Sequence, residues 1–137
     1  MKIATNIIGG LLGLLFAAFS LMFLLKLVPM PPPPPAGTPP ALFMGALEPT
    51  GYLAFVKVLE IIGGLLVAVP LTRGFGLLIL GPIIVNILAF HIFIMKGVML
   101  LDPVLIFVCL AGAFLLWTER QPFLGLINKS RHAEALN

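Results

Sequence analysis

The chain has 137 residues, 61% of them hydrophobic and only 9% charged, with a net charge of +3 and a mean hydropathy of +1.19. Soluble domains carry about 25% charged residues, so this chain has too little polar surface to cover a water-exposed fold. A nucleic-acid partner is excluded too, because the cations fall singly between apolar runs and no basic run is interleaved with aromatics.

Residues 3–25 contain no charge and are long enough to cross about 30 Å of hydrocarbon. The run exceeds the ~7–15 residues of a signal-peptide core and no A-x-A site follows, so a retained first span over about 3–26 is expected. "PMPPPPPAGTPP" (29–40) lacks backbone donors and favours a polyproline helix, which makes it a stiff loop and not a span. "ALFMGALEPT" predicts a short interfacial helix stopping at Pro49. A second span runs over 51–70, "LTRG" (71–74) is a tight turn, and a third span covers 75–95 with Pro82, Asn86 and His91. "KG" (96–97) turns the chain into a fourth span, 98–117, with Asp102 and Pro103 near its start. Proline is tolerated in a first helical turn, whose donors are free anyway. Residues 118–137 form a polar tail. The expected fold is a single all-α membrane domain over 1–137. It is a four-transmembrane-helix bundle with a Pro-rich outer loop and a short interfacial helix between the first two spans.

Four spans place Lys2, Arg73, Arg120, Lys129 and Arg131 on one side and Lys26 and Lys96 on the other. The positive-inside rule makes both termini and the tail cytoplasmic and turns the Pro-rich loop outward. Tyr52 and Trp117 fall at the interfaces. Gly9, Gly10 and Gly13 form small-residue steps that let helix backbones approach, within the chain or in a homo-oligomer.

The second span carries Lys57 and Glu60 among eleven Leu, Ile, Val and Phe residues. Those apolar residues contribute roughly −3 to −7 kcal/mol to insertion and the two charges cost roughly +5 to +7. The segment is marginal alone and persists only with its charges turned inward. At about 1.5 Å per residue, Lys57 lies about 9 Å and Glu60 about 14 Å below the outer end of the second span, and His91 about 8 Å and Asn86 about 15 Å below that of the third. Lys57 is thus level with His91, and Glu60 with Asn86, and Asp102 tops the fourth span on the same side. No ionisable group is expected in the cytoplasmic half of any span. Lys57 and Glu60 at i,i+3 also suit a plain mutual pair, and Asn86 a glue between helices. Gly63 and Gly64 share Glu60's face, where a neighbouring helix can close over the carboxylate. One His and one Glu make no metal site. The single cysteine, Cys109, permits no intrachain disulfide and reads as a small buried hydrophobe.

These polar positions carry a resemblance. GY at 51–52, K-x-x-E-x-x-G-G at 57–64, P-x-x-x-N-x-x-x-x-H through Pro82, Asn86 and His91, and "LLKLVPMPPPP" after the first span resemble the DoxX-like membrane proteins over roughly residues 6 to 117. The resemblance implies a small four-helix integral protein of the bacterial inner membrane, distantly similar in fold to vitamin K epoxide reductase. The thiol pair of that enzyme class is absent here, so its chemistry does not carry over. Relatives include a thiosulfate:quinone oxidoreductase subunit and redox-associated partners, which implies a membrane or periplasmic redox partner.

The expected function is a redox-associated accessory subunit of unassigned activity. It would bind a quinone-like or other small amphipathic ligand in an outer-half polar cavity. Lys57 and His91 would donate to a carbonyl or anion, Glu60 and Asn86 would order them, and Tyr52, Gly64 and Asp102 would support them. Two alternatives are an oxidoreductase or other enzyme with Glu60 and His91 as a proton-transfer pair, and a small-solute or proton pathway.

Overall fold

The computed structural model describes residues 1–135, with side chains to residue 128. Among the described residues it is all-helical: α1 (Lys2–Leu24), α2 (Pro39–Leu47), α3 (Tyr52–Ala68), α4 (Arg73–Ala89), α5 (Pro103–Thr118) and α6 (Arg120–Ala135), with a π-helical turn, Phe90–Ile94, continuing α4. The side chains of Lys129 and Arg131, counted above among the cytoplasmic cations, and residues 136–137 of the tail lie outside the described residues.

The punctuation of each helix is local. α1 ends where Lys26 turns left-handed (φ 53°). Lys26 N donates to Phe23 O at 3.2 Å and Leu27 N to Met22 O at 3.0 Å, the paired bonds of a Schellman end. α2 starts on Pro39 and Pro40, where missing donors do no harm. Gly51, at φ 77°, then bends the chain by 79° into α3. The following turn is residues 69–72, and Arg73 is already the first residue of α4. The expected fourth span from residue 98 is corrected: 98–101 are turns, and the helix begins at Pro103 under an Asp102 cap. Asp102 Oδ1 accepts from Val104 N at 2.9 Å and Leu105 N at 3.1 Å, satisfying two of the free donors of that end.

Among the described residues two helices are each long and apolar enough to cross a membrane: Lys2–Leu24 at mean hydropathy 2.4 and Arg73–Ile94 at 2.5. α3 and α5 have 17 and 16 residues, about 25 Å of helix, which is short of an ordinary hydrocarbon core. They pass the test only together with α2, bent by 79°, and α6, bent by 54°. Two to four candidate spans mark the chain as a membrane protein.

α1, α3, α4 and α5 pack in cyclic order, each against the next, with α5 returning to α1. The core is Leu12, Phe16, Val67, Leu77, Leu80, Ile84, Val108, Ala111 and Leu115, with Cys109 packed partly buried against it. Leu14, Phe19, Leu65, Leu78, Val85 and Leu110 face outward, as a lipid-exposed surface requires.

The α1–α3 seam positions the polar groups. Contacts pair Gly13 with Gly64 and Ser20 with Glu60, while Gly9 meets Arg73, so the helices run antiparallel. A Cβ at Gly64 would lie 2.6 Å from Gly13 O and one at Gly13 would lie 2.9 Å from Ala68 Cβ. Only glycine allows that approach. Asn6, Gly9, Gly13, Phe16, Ser20 and Phe23 of α1 recur at steps of three and four residues, which is one helix face. Gly9 and Gly13 are therefore used within the chain, and Gly10 meets open space.

Candidate functional site

Glu60 is buried at 4% exposure on α3. Two side chains donate to its Oε2: Lys57 Nζ at 2.8 Å, from one turn earlier, and Ser20 Oγ, from across the seam. The Lys57 ammonium also lies 5.6 Å from the centre of the Phe23 ring, a cation–π distance. Both donors converge on one oxygen. Among the described residues Oε1 has no partner, and no sealed-in side-chain polar atom lacks one. Oε1 is therefore open to a cavity.

Two cavities meet at this carboxylate. A groove of about 720 Å³ between α2, α3 and α4 is lined by Phe43, Tyr52, Pro82 and Phe90 together with Lys57, Glu60, Asn86 and His91. A smaller space of about 260 Å³ towards α1 and α5 shares Lys57, Glu60, Ile87 and His91 and adds Asp102 and Met99. Their common wall is the polar cluster. α3 and α4 are held tightly at the other end, where Gly76 abuts Val67 and Gly63 abuts Leu80. The cavities lie towards the Lys26 end, where bulky side chains replace those glycines.

The π-helical turn sets His91. A π turn shifts the backbone ladder by one residue and re-aims side chains. His91 Nδ1 lies 2.8 Å from Ile87 O. A carbonyl only accepts, so Nδ1 carries a proton, and in the neutral form of the ring Nε2 keeps its lone pair. Phe90 stands edge-on to the imidazole at 5.5 Å and stacks against Phe43 of α2 at 5.2 Å, tying the short helix to the groove.

The structure gathers Lys57, Glu60, Asn86 and His91 around one groove, but no hydrogen bond joins Lys57 to His91 or Glu60 to Asn86. Asn86 is exposed along its wall, and Tyr52 stands at its rim, 6.2 Å from Phe55. Gly64 serves the helix crossing, and the group closing on the carboxylate is Ser20. Asp102 spends Oδ1 on its cap while lining the smaller cavity. Among the described residues no three His, Cys, Asp or Glu side chains group as metal ligands.

Sequence reasoning missed two things. Ser20 is a lone hydroxyl in "AAFSLMFLL", and the depth count applied to Lys57 and His91 would have put it near the same level. The second is Arg73, expected on a turn and found 2% exposed. Its Nε donates to Val67 O at 3.1 Å and its Nη2 to Asn6 Oδ1 at 3.1 Å, while Nη1 lies 3.5 Å from Glu119 Oε1. Gly9 makes room, since a Cβ there would lie 2.7 Å from Arg73 Nε. A charge is thus buried at the end opposite Lys57 and Glu60, contrary to expectation.

Comparison with known proteins adds one relative. The chain is 35% identical over 78 residues, 57% of its length, to "Uncharacterized protein YwoB" of Bacillus subtilis (strain 168), and the match spans 49% of that protein. The chain thus covers about half the length of the relative it matches. No family model matches, and no solved structure does.

Proposed function

We propose that the chain is a DoxX-like four-span protein with both termini cytoplasmic, acting as a redox-associated accessory subunit that holds a quinone-like or other small amphipathic molecule. α1, α3, α4 and α5 would be the spans, α2 would lie at the interface and α6 in the cytoplasmic tail, and the groove would open in the outer half. The observation carrying this reading is the groove itself. It is an apolar cleft of about 720 Å³ onto which Lys57, Glu60, Asn86 and His91 converge, the usual composition of a small-molecule site. A buried ion pair adds little stability over apolar packing, so its placement at a cavity wall favours a role in binding.

The proton-transfer alternative has less support. Glu60 holds Lys57 and Ser20, His91 holds Ile87 O, and no hydrogen bond links the two. The pathway alternative meets Leu12, Phe16, Val67 and Leu80 packed between Glu60 and Arg73.

The test is extraction of the purified protein and mass spectrometry of co-purifying small molecules. An amphiphile present with wild type and depleted at least tenfold in Glu60→Gln is expected. Equal amounts in both, with the variant folded, would remove the groove as the site.

A further inference from the structure

The hydrogen-bonding capacity left at the groove has a definite sign. Glu60 Oε2 takes both available donors, and Oε1 is open and can only accept from a ligand. His91 directs its Nδ1 proton at Ile87 O, so in the neutral form of the ring the free Nε2 also accepts. Lys57 directs one of its three N–H groups at Glu60 and lies against Phe23, which leaves it donors for a ligand. A carbonyl head group would satisfy Lys57 alone and set its lone pairs against the Glu60 carboxylate. A hydroxyl head group accepts from Lys57 and donates to Glu60 Oε1 or His91 Nε2.

We propose that the groove selects amphiphiles whose head group donates a hydrogen bond, a phenolic or hydroquinone hydroxyl, over those whose head group only accepts. This rests on the reading of the groove as a ligand site, and it reverses the donor role assigned from sequence to His91. The apolar walls from Phe43, Phe55 and Pro82 take the hydrocarbon part, and the π-helical turn holds the imidazole so that Nε2 stays the acceptor.

The test uses the full chain in phosphatidylcholine nanodiscs and two probes that differ in one group, 4-nonylphenol and 4-nonylanisole. Wild type is expected to bind the phenol at least tenfold more tightly, the lower end of what a hydrogen bond to a charged acceptor contributes. Glu60→Gln gives an internal inversion. Ser20 and Lys57 both donate to one position, so the amide oxygen must occupy it and the amide NH₂ then faces the groove. The phenol preference should fall below threefold. Should that variant fail to fold, the ¹⁵N spectrum of wild-type His91, assigned against His132→Gln, decides. The phenol should move the Nε2 signal upfield as its lone pair accepts a hydrogen bond, and the anisole should not. Binding of both probes with less than tenfold preference would overturn the selectivity and leave the groove a ligand site. Binding of neither would overturn both.

Discussion

Glu60 of α3 and Arg73 of α4 are both buried charges that flank the Gly13–Gly64 crossing, yet their partners are arranged in opposite ways. Arg73 is evenly partnered. Its donors are spread over Val67 O, Asn6 and Glu119, contributed by α3, α1 and the C-terminal end of α5. Such an arrangement clamps three helices, with each guanidinium nitrogen already directed at a protein oxygen. Glu60 is lopsided, with two donors on one oxygen and none on the other, beside two cavities. Burial of charge does not by itself mark function. The distribution of partners around the charge separates a tie from a site.

The largest way to break the comparison is to pry the shared seam apart. Gly64→Leu would force its side chain into Gly13 O and Ala17 N, backbone atoms that cannot step aside. A loss of about 3 kcal/mol is expected, read as a fall in melting temperature in detergent together with loss of probe binding, because both polar clusters depend on that crossing. Arg73→Ala should come next. It removes the clamp, leaves Glu119 unpaired and opens a cavity, for about 2–3 kcal/mol. Phenol binding, measured in the fraction that remains folded, should stay within threefold of wild type. Ser20→Ala deletes one hydrogen bond to a charged group, about 1.5 kcal/mol. Chemical denaturation should register that loss while Oε1, and with it phenol binding, is retained. The smallest effect has the opposite sign. Lys26 holds a left-handed conformation (φ 53°) that glycine adopts freely, so Lys26→Gly should stabilise by about 1 kcal/mol, seen as a raised melting temperature with no change in binding.

Much of this was legible in the residues. The helices follow from charge-free runs broken by proline, glycine and lysine, and Lys57 with Glu60 stood out through the energy of placing them in lipid. Asp102-Pro103 was a readable cap-and-first-turn signal, overridden by the hydropathy of "VMLL". Ser20 was less visible, because an isolated serine in an apolar helix commonly bonds to its own backbone. Arg73 was misread for a physical reason. In "VPLTRG" a cation beside a turn looks solvated, and only the tertiary placement of Gly9 and Asn6 shows that it points inward. The open side of Glu60 was not readable at all, since it depends on two donors from different helices choosing the same oxygen.

One measurement bears most directly on the contrast between the lopsided and the evenly partnered charge. Melting temperature and 4-nonylphenol affinity are recorded in the same nanodiscs for wild type, Glu60→Gln and Arg73→Lys. Lysine keeps the charge of arginine but not its three-way fork. The expected outcome is a crossed pattern. Glu60→Gln, still folded, loses at least tenfold in affinity, while Arg73→Lys melts lower and binds as wild type does. Unchanged affinity in folded Glu60→Gln, or a tenfold loss in folded Arg73→Lys, would contradict the assignment of the site to the open carboxylate.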